Sequence, residues 1–200
     1  MAKDIELLRK KVRSRLSYKR YAHTLSVEKA ALSLAEIFMP ERKEEISIAA
    51  LLHDITKELT YEEHVELIND SGLLLTDEDL SISPSLHSIS AFSVITRDFL
   101  EYSNKDILSS VYNHTLGDDD MSLFDKIVFF ADYIEDSRPY ESSKRIREYF
   151  YENIVDKSPE KQIAVLDDAI RMCLEATFEH LNKIGRPIHS RSLRFYESLK

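Results

Sequence analysis

The chain has 200 residues and a net charge of −9, from 36 Asp and Glu against 27 Lys and Arg. That balance speaks against a nucleic-acid binder, which usually presents a basic face, but leaves room for a local basic pocket around a small polyanion. A single cysteine, Cys173, excludes an intrachain disulfide and a thiolate metal site.

Hydrophobic content of 43% and charged content of 32% are those of an ordinary globular domain. Only 3 Gly and 5 Pro point to long helices with few tight turns. Met1-Ala-Lys-Asp-Ile-Glu6 lacks the apolar centre of a signal peptide. No run approaches the ~20 apolar residues of a membrane span. The expectation is a cytoplasmic protein without membrane or nucleic-acid partners.

Residues 4–16 read as a short charged helix with Ile5, Leu8, Val12 and Leu16 as its apolar stripe. A second helix covers 18–38, with Val27, Ala31, Leu34 and Phe38 in one row and His23 on the extension of that row. Met39-Pro40 ends it, because the residue before proline leaves helical geometry. A third helix, about 42–56, carries the run Ile48-Ala-Ala-Leu-Leu52, apolar until it meets His53 and Asp54. Lys57 follows at i+4 and i+3 from that pair, on the same helical face.

Residues 61–70 make a short acidic helix closed by Ser71-Gly72. Residues 73–86, rich in Asp, Ser and Pro, read as irregular. The next helix, about 85–101, aligns His87, Ala91 and Ile95; another, about 104–114, opens on Asn104 and aligns Ile107, Val111 and His114. After a polar loop at 115–120, a helix over 122–136 opens on Ser122 with Asp125 three residues on, and aligns Phe124, Val128 and Asp132. Amphipathic helices over 141–153 and 159–184 follow, then Gly185-Arg-Pro and a tail, 187–200. Nothing reads as a strand. The fold class expected is an all-α bundle: a short N-terminal helix within 1–17, then one domain over 18–200 with C-terminal helices.

An adjacent His-Asp pair ending an apolar run is a poor structural choice. Burying either group without a partner costs roughly 2–7 kcal/mol, and a metal ion removes that cost by taking both as ligands. A lone histidine on an apolar row is more often a satisfied core residue. Here His23, His87, His114 and Asp132 repeat the oddity on separate helices. Inward His and carboxylates are how helical bundles build metal sites.

Four His and two Asp, one carboxylate bridging, suit two adjacent divalent ions. Mixed nitrogen and oxygen ligation favours iron, manganese, cobalt or zinc over calcium. Such a pair of ions can hold a hydroxide and polarise a phosphoryl oxygen, and Lys57 is a cation placed to meet a phosphate. Of the remaining histidines, His64 among Glu62, Glu63 and Glu66 reads as solvated and His180 as helix surface; His189 stays open between packing and a pocket edge.

His23, then His53-Asp54, then Asp132 resembles the H…HD…D signature of the HD-domain phosphohydrolases, and His87 with His114 resembles its two-metal members. Arg20-Tyr-Ala-His23, His53-Asp-Ile-Thr-Lys57, His114-Thr-Leu-Gly117, Met121-Ser-Leu-Phe-Asp-Lys126, Ala131-Asp-Tyr-Ile-Glu135 with Arg138, and Gly185-Arg-Pro-Ile-His189 are similar to the bacterial YqeK-type family. That family comprises symmetrical bis(5′-nucleosyl)-tetraphosphatases, which split diadenosine tetraphosphate into two ADP. The resemblance covers about residues 18–195.

It implies that His23, His53, Asp54 and Asp132 hold one iron, and that Asp54 bridges to a second ion completed by His87 and His114. It further implies catalytic parts for Asp54 and Lys57, and substrate contacts at Arg20, His23, Lys57, Thr115 and Arg138. The partners implied are small nucleotides, with a homodimer left open. After His189 the tail reads Ser-Arg-Ser-Leu-Arg-Phe-Tyr where the family pattern carries Pro-Asp-Thr, so tail contacts with nucleotide are not carried over.

Two alternatives remain at this point. One is another HD nucleotidase or phosphodiesterase. A cyclic-dinucleotide enzyme would show Gly-Tyr-Pro, which this chain lacks, and a one-ion nucleotidase would not need both His87 and His114. The other is a non-catalytic nucleotide-sensing module.

Overall fold

Local chemistry sets where most helices begin in the computed structural model, which describes residues 4–199; residues 1–3 of the expected N-terminal segment, and residue 200, lie outside the described residues. Among the described residues the eleven α-helices are α1 (Ile5–Arg13), α2 (Tyr18–Phe38), α3 (Lys43–Leu52), α4 (Tyr61–Asp70), α5 (Asp77–Ser81), α6 (Leu86–Asp98), α7 (Lys105–Asn113), α8 (Leu123–Ile134), α9 (Glu141–Ile154), α10 (Pro159–Lys183) and α11 (Ser190–Ser198). No strand occurs among the described residues, and the all-α expectation holds.

Ser17 starts α2 by accepting from Arg20 N, and Asn104 starts α7 by accepting from Ile107 N. Reciprocal capping boxes, Thr60 with Glu63 and Ser122 with Asp125, start α4 and α8. Each such cap contributes about 1 kcal/mol.

The centre of the bundle is α3. Every residue from Ile46 to Leu52 is buried, as expected of a helix apolar all round. Around it pack α1, α2, α7 and α8, with α6 against α7 and α4 against α6. Val27, Ala31 and Leu34 of α2, Val111 of α7, and Val128 and Phe130 of α8 are fully buried in the same core. Ser47 is the polar exception on α3. Its hydroxyl donates to buried Glu28 (2.5 Å), which also receives Arg9, so α1 is tied to the bundle by an ion pair. On the far side α9 and α10 pack together against α8, where Phe150 meets Phe130 edge-on at 5.0 Å.

Three expectations are corrected. First, α3 stops at Leu52, and His53 to Lys57 form successive turns. The His53 ring bonds Ala50 O at 2.6 Å, and a side chain holding a nearby carbonyl competes with helix continuation. Second, 73–86 is not irregular throughout: a Thr76–Asp79 capping box starts α5, and a 3₁₀ turn covers Ser83–Ser85. Third, the tail contains a helix, α11, which lies on the segment after α7. Phe195 of α11 packs on Gly117, whose φ of +73° is a conformation that glycine adopts freely.

Candidate metal centre

Separate elements converge on one buried point. His23 comes from α2, His53 and Asp54 from the turn after α3, His87 from the start of α6, His114 from the C-cap of α7 and Asp132 from α8. His53, Asp54, His87 and His114 are each 3% exposed or less.

The two oxygens of Asp54 divide the four imidazoles. Oδ2 lies 3.6 Å from His23 Nε2 and 3.5 Å from His53 Nε2, whereas Oδ1 lies 3.2 Å from His87 Nε2 and 3.6 Å from His114 Nε2. Asp132 Oδ1 joins the first group, 3.1 Å from His23 Nε2 and 3.9 Å from His53 Nε2.

The other ring nitrogens explain why the Nε2 atoms point inward. Nδ1 of His53, His87 and His114 faces the carbonyl of Ala50, Pro84 and Val111 at 2.6, 2.8 and 2.7 Å. A carbonyl only accepts, so it fixes the proton on Nδ1 and leaves Nε2 with a lone pair. His23 Nδ1 meets a carboxylate instead, Glu135 Oε1 at 3.2 Å.

The consequence is an unusual meeting of acceptors. His87 Nε2 and His114 Nε2 stand 3.0 Å apart. Nε2 of His23 and of His53 is buried and makes no hydrogen bond, although carboxylate oxygens lie nearby. Lone pairs and carboxylate oxygens turned on one another repel unless a proton, as on His23, or a cation sits among them. The donor set therefore fits metal ions, and nitrogen and oxygen donors with their outer bonds already made are the usual surroundings of a transition metal.

Charge follows the same division. Burial opposes ionisation of Asp54 and Asp132. His53 and the other imidazoles reverse that for Asp54, and Arg138 with His23 for Asp132, so both carboxyls sit well below the usual range. Burial holds His87 down to about 3, with Lys57 adding to the effect, and lowers His114. His23 goes the other way: burial disfavours its charge, but Asp132 and Glu135 overcome this and raise it to about 9.

Four further residues named from sequence ring the centre. Arg20 Nη1 donates to Asp54 Oδ2 at 2.8 Å, and Arg138 Nη2 donates to Asp132 Oδ1 at 2.5 Å. Lys57 Nζ lies 3.0 Å from His87 Nε2 and 4.0 Å from Asp54 Oδ1; it arrives by a turn, not along a helix face. Thr115 Oγ1 is 3.0 Å from His87 Nε2 and 3.1 Å from His114 Nε2.

Beside the centre lies a cavity of about 480 Å³. Lys57, His87, His114, Thr115 and Asp132 line it at the charged end, and Phe129, Tyr133, Leu174, Phe178, Leu181 and Pro187 supply apolar wall.

Sequence reasoning missed or misplaced three residues. Glu135 is 1% exposed and holds the His23 ring while accepting from Ser137 N and Oγ at 2.6 and 2.7 Å. Its signal was its position three residues beyond Asp132. His64 is buried, not solvated, and its Nδ1 bonds Ser90 Oγ at 2.7 Å; its i+4 relation to buried Ile68 marked that face. His189 is also buried. It caps α11 and meets Asp79 Oδ1 at 3.2 Å, while Ser190 bonds Glu78, so α5 is latched to the tail. His180 is exposed, as read.

Residues 20–136 match the HD domain family, and the chain belongs to it. It is an HD-domain hydrolase, of a metal-dependent kind, and its His/Asp cluster could bind metal. The chain is 28% identical over 189 residues to the symmetrical bis(5′-nucleosyl)-tetraphosphatase of Halalkalibacterium halodurans, across 94% of this chain and 92% of that one. It is 30% identical over 136 residues to the Bacillus subtilis protein of the same name, covering 68% and 72%. A crystal structure from Clostridium acetobutylicum, described as a predicted HD superfamily hydrolase involved in NAD metabolism, superposes with a TM-score of 0.85 at 28% identity, over 100% of this chain and 98% of that one. Among the described residues no helix is long and apolar enough to cross a membrane.

Proposed function

We propose that the protein hydrolyses dinucleoside tetraphosphates symmetrically, diadenosine tetraphosphate giving two ADP, at a centre of two divalent ions, iron first among them with manganese, cobalt and zinc as alternatives. One observation carries the reading. Asp54 turns one oxygen to His23 and His53 and the other to His87 and His114, the arrangement of a carboxylate between two ions. The names of the two tetraphosphatase relatives point the same way.

In this reading His23, His53, Asp132 and Asp54 would hold one ion, and Asp54, His87 and His114 the other. Bound there, the ions supply a water ionised near neutral pH and positive charge against phosphoryl oxygens. The chain supplies the rest. Arg20 and Arg138, whose side chains are 30% and 29% exposed, face solvent beside the carboxylates and can take phosphate oxygens. Arginine's fork suits that task. Lys57 and Thr115 donate from the cavity side, so a phosphate chain lying across the centre meets cations at both ends. These fixed charges stabilise the transition state more than the ground state because charge shifts onto the bridging oxygen as the bond breaks. The leaving group is a nucleoside diphosphate, which departs without a strong general acid, and none stands in the motifs.

The test is chromatography of products after incubation with diadenosine tetraphosphate, GTP, AMP, cyclic di-AMP and NAD. Two ADP per tetraphosphate, with the others cut more slowly, is expected. AMP plus ATP, or no turnover, overturns the reading. NAD is included because of the description of the Clostridium relative; its preferential cleavage to AMP and nicotinamide mononucleotide would favour a pyrophosphatase instead. Turnover of any of these substrates also excludes a purely sensory module.

A further inference from the structure

His64 has no part in the candidate ligand set, yet it is buried on α4 with a polar partner. Its face of the helix is apolar: Ile68, one turn on, packs with Leu86 and Ile89 of α6. A leucine would suit the position, since a buried imidazole must find a hydrogen bond to offset its lost hydration. His64 finds one in Ser90 Oγ of α6, 2.7 Å from its Nδ1.

The bonds do not stop at Ser90. Ser90 Oγ donates to Thr56 Oγ1 at 2.9 Å, and Thr56 Oγ1 donates to the backbone carbonyl of His87 at 2.7 Å. Ser90 Oγ also stands 3.2 Å from that carbonyl. Each hydroxyl has one proton, and a carbonyl only accepts. With Thr56 serving the carbonyl and Ser90 serving Thr56, the Nδ1–H of His64 is the donor at the head of a row that runs one way. Ser90 and Thr56 are buried, and bonds in such a row strengthen one another away from water.

What the row joins belongs to one half of the metal centre. Thr56 lies two residues after Asp54 and one before Lys57. At the other end is His87, whose Nε2 faces Asp54 Oδ1 at 3.2 Å and Lys57 Nζ at 3.0 Å. The row thus sets the distance between the turn carrying Asp54 and Lys57 and the helix carrying His87. The other half is braced elsewhere: His23 by Glu135, His53 by the Ala50 carbonyl, Asp132 by Arg138, and Asp54 Oδ2 by Arg20.

We infer that His64 is a positioning residue for the second ion, the one among Asp54 Oδ1, His87 and His114, and that it acts through Ser90 and Thr56. The inference rests on the two-ion reading of the site. His64 itself touches neither ion nor substrate. Without the row, the Thr56 turn and the start of α6 are free to drift apart. The second ion, with three donor residues against four for the first, then loses affinity before the first does.

Calorimetric titration of the full-length protein, stripped of metal, with manganese(II) tests this, alongside His64→Leu, His64→Asn and Ser90→Ala. In His64→Leu the first equivalent should bind as in the wild type and the second about 10–100-fold more weakly. Its thermal midpoint without metal should not fall, because leucine suits the apolar face. Turnover of diadenosine tetraphosphate should recover at saturating manganese. His64→Asn, whose side-chain N–H can replace Nδ1–H, should restore the second site. Ser90→Ala breaks the row with a small change in volume; it should match His64→Leu, and it stands in for that variant should the latter not fold. Equal weakening of both ions, unchanged binding of both, or asparagine no better than leucine would overturn the assignment while the two-ion reading stands. A wild type that takes up a single ion overturns that reading and the inference with it.

Discussion

Replacing Gly117 by alanine couples the C-terminal helix to the metal centre in one perturbation. The backbone there has φ of +73°, a conformation that costs an L-residue roughly 1–2 kcal/mol. The added Cβ would stand 2.1 Å from Phe195 Cδ1 and 2.8 Å from Cε1 and Cγ. Phe195 is fully buried and already packs edge-on to Phe129 at 5.4 Å, so its ring must be displaced. Overpacking of this kind costs typically about 1–3 kcal/mol. Together the expected loss is about 2–5 kcal/mol, or roughly 4–20 °C in melting temperature for a chain of this size.

Urea unfolding of the wild type, Gly117→Ala, Phe195→Ala and the double variant measures it. Removing the ring should relieve the clash, so the double variant should be more stable than the sum of the single losses predicts. His114 and Thr115 precede Gly117 by three and two residues, so the single variant should also bind less metal. A loss below about 1 kcal/mol, or additive losses in the double variant, would refute the packing argument.

Asp54→Ala should abolish binding of both ions and lower turnover at least about 100-fold with helix content retained, whereas Lys57→Ala should keep its metal and mainly weaken substrate handling. Wild-type turnover in Asp54→Ala, or metal loss in Lys57→Ala, would contradict these assignments. Glu135→Gln removes the carboxylate that backs His23, and metal affinity should fall by about 10–100-fold; unchanged affinity in a competition titration would make Glu135 merely structural.

In the ion-free protein His23 is raised from 6.5 to about 9, so its folded-state proton stabilises the fold fully below pH 6.5, and that contribution fades as pH rises through about 9. Ligation must expel the same proton, so metal affinity should climb with pH up to about 9, with close to one proton released per chain at neutral pH. Calorimetry in buffers of different ionisation enthalpy reads that release, and its absence would argue against His23 as a ligand.

Much of the fold was legible because helical periodicity does the sorting. His23, His87, His114 and Asp132 each stand in register with buried apolar residues, so their side chains had to point inward. What was hidden depends on contacts distant in sequence or on side-chain competition. The stop of α3 at Leu52 comes from His53 capturing the Ala50 carbonyl, not from a proline or glycine. Lys57 was placed near the site for the wrong geometric reason. His64 is surrounded in sequence by glutamates, and only its spacing to Ile68 betrayed its burial. The docking of α11 depends on Glu78 and Asp79, more than 100 residues earlier, which no local signal encodes. The cavity is likewise assembled from several separated segments, so it was invisible until they were brought together.

The most direct test of the central claim is a titration of the ion-free protein with ferrous iron under anaerobic conditions, following ADP formed from diadenosine tetraphosphate against iron bound per chain. Activity should rise to completion at two equivalents, with ADP as the sole nucleotide product. Full activity at one equivalent, or the appearance of AMP and ATP, would contradict an Asp54-bridged pair of ions cleaving the tetraphosphate at its centre.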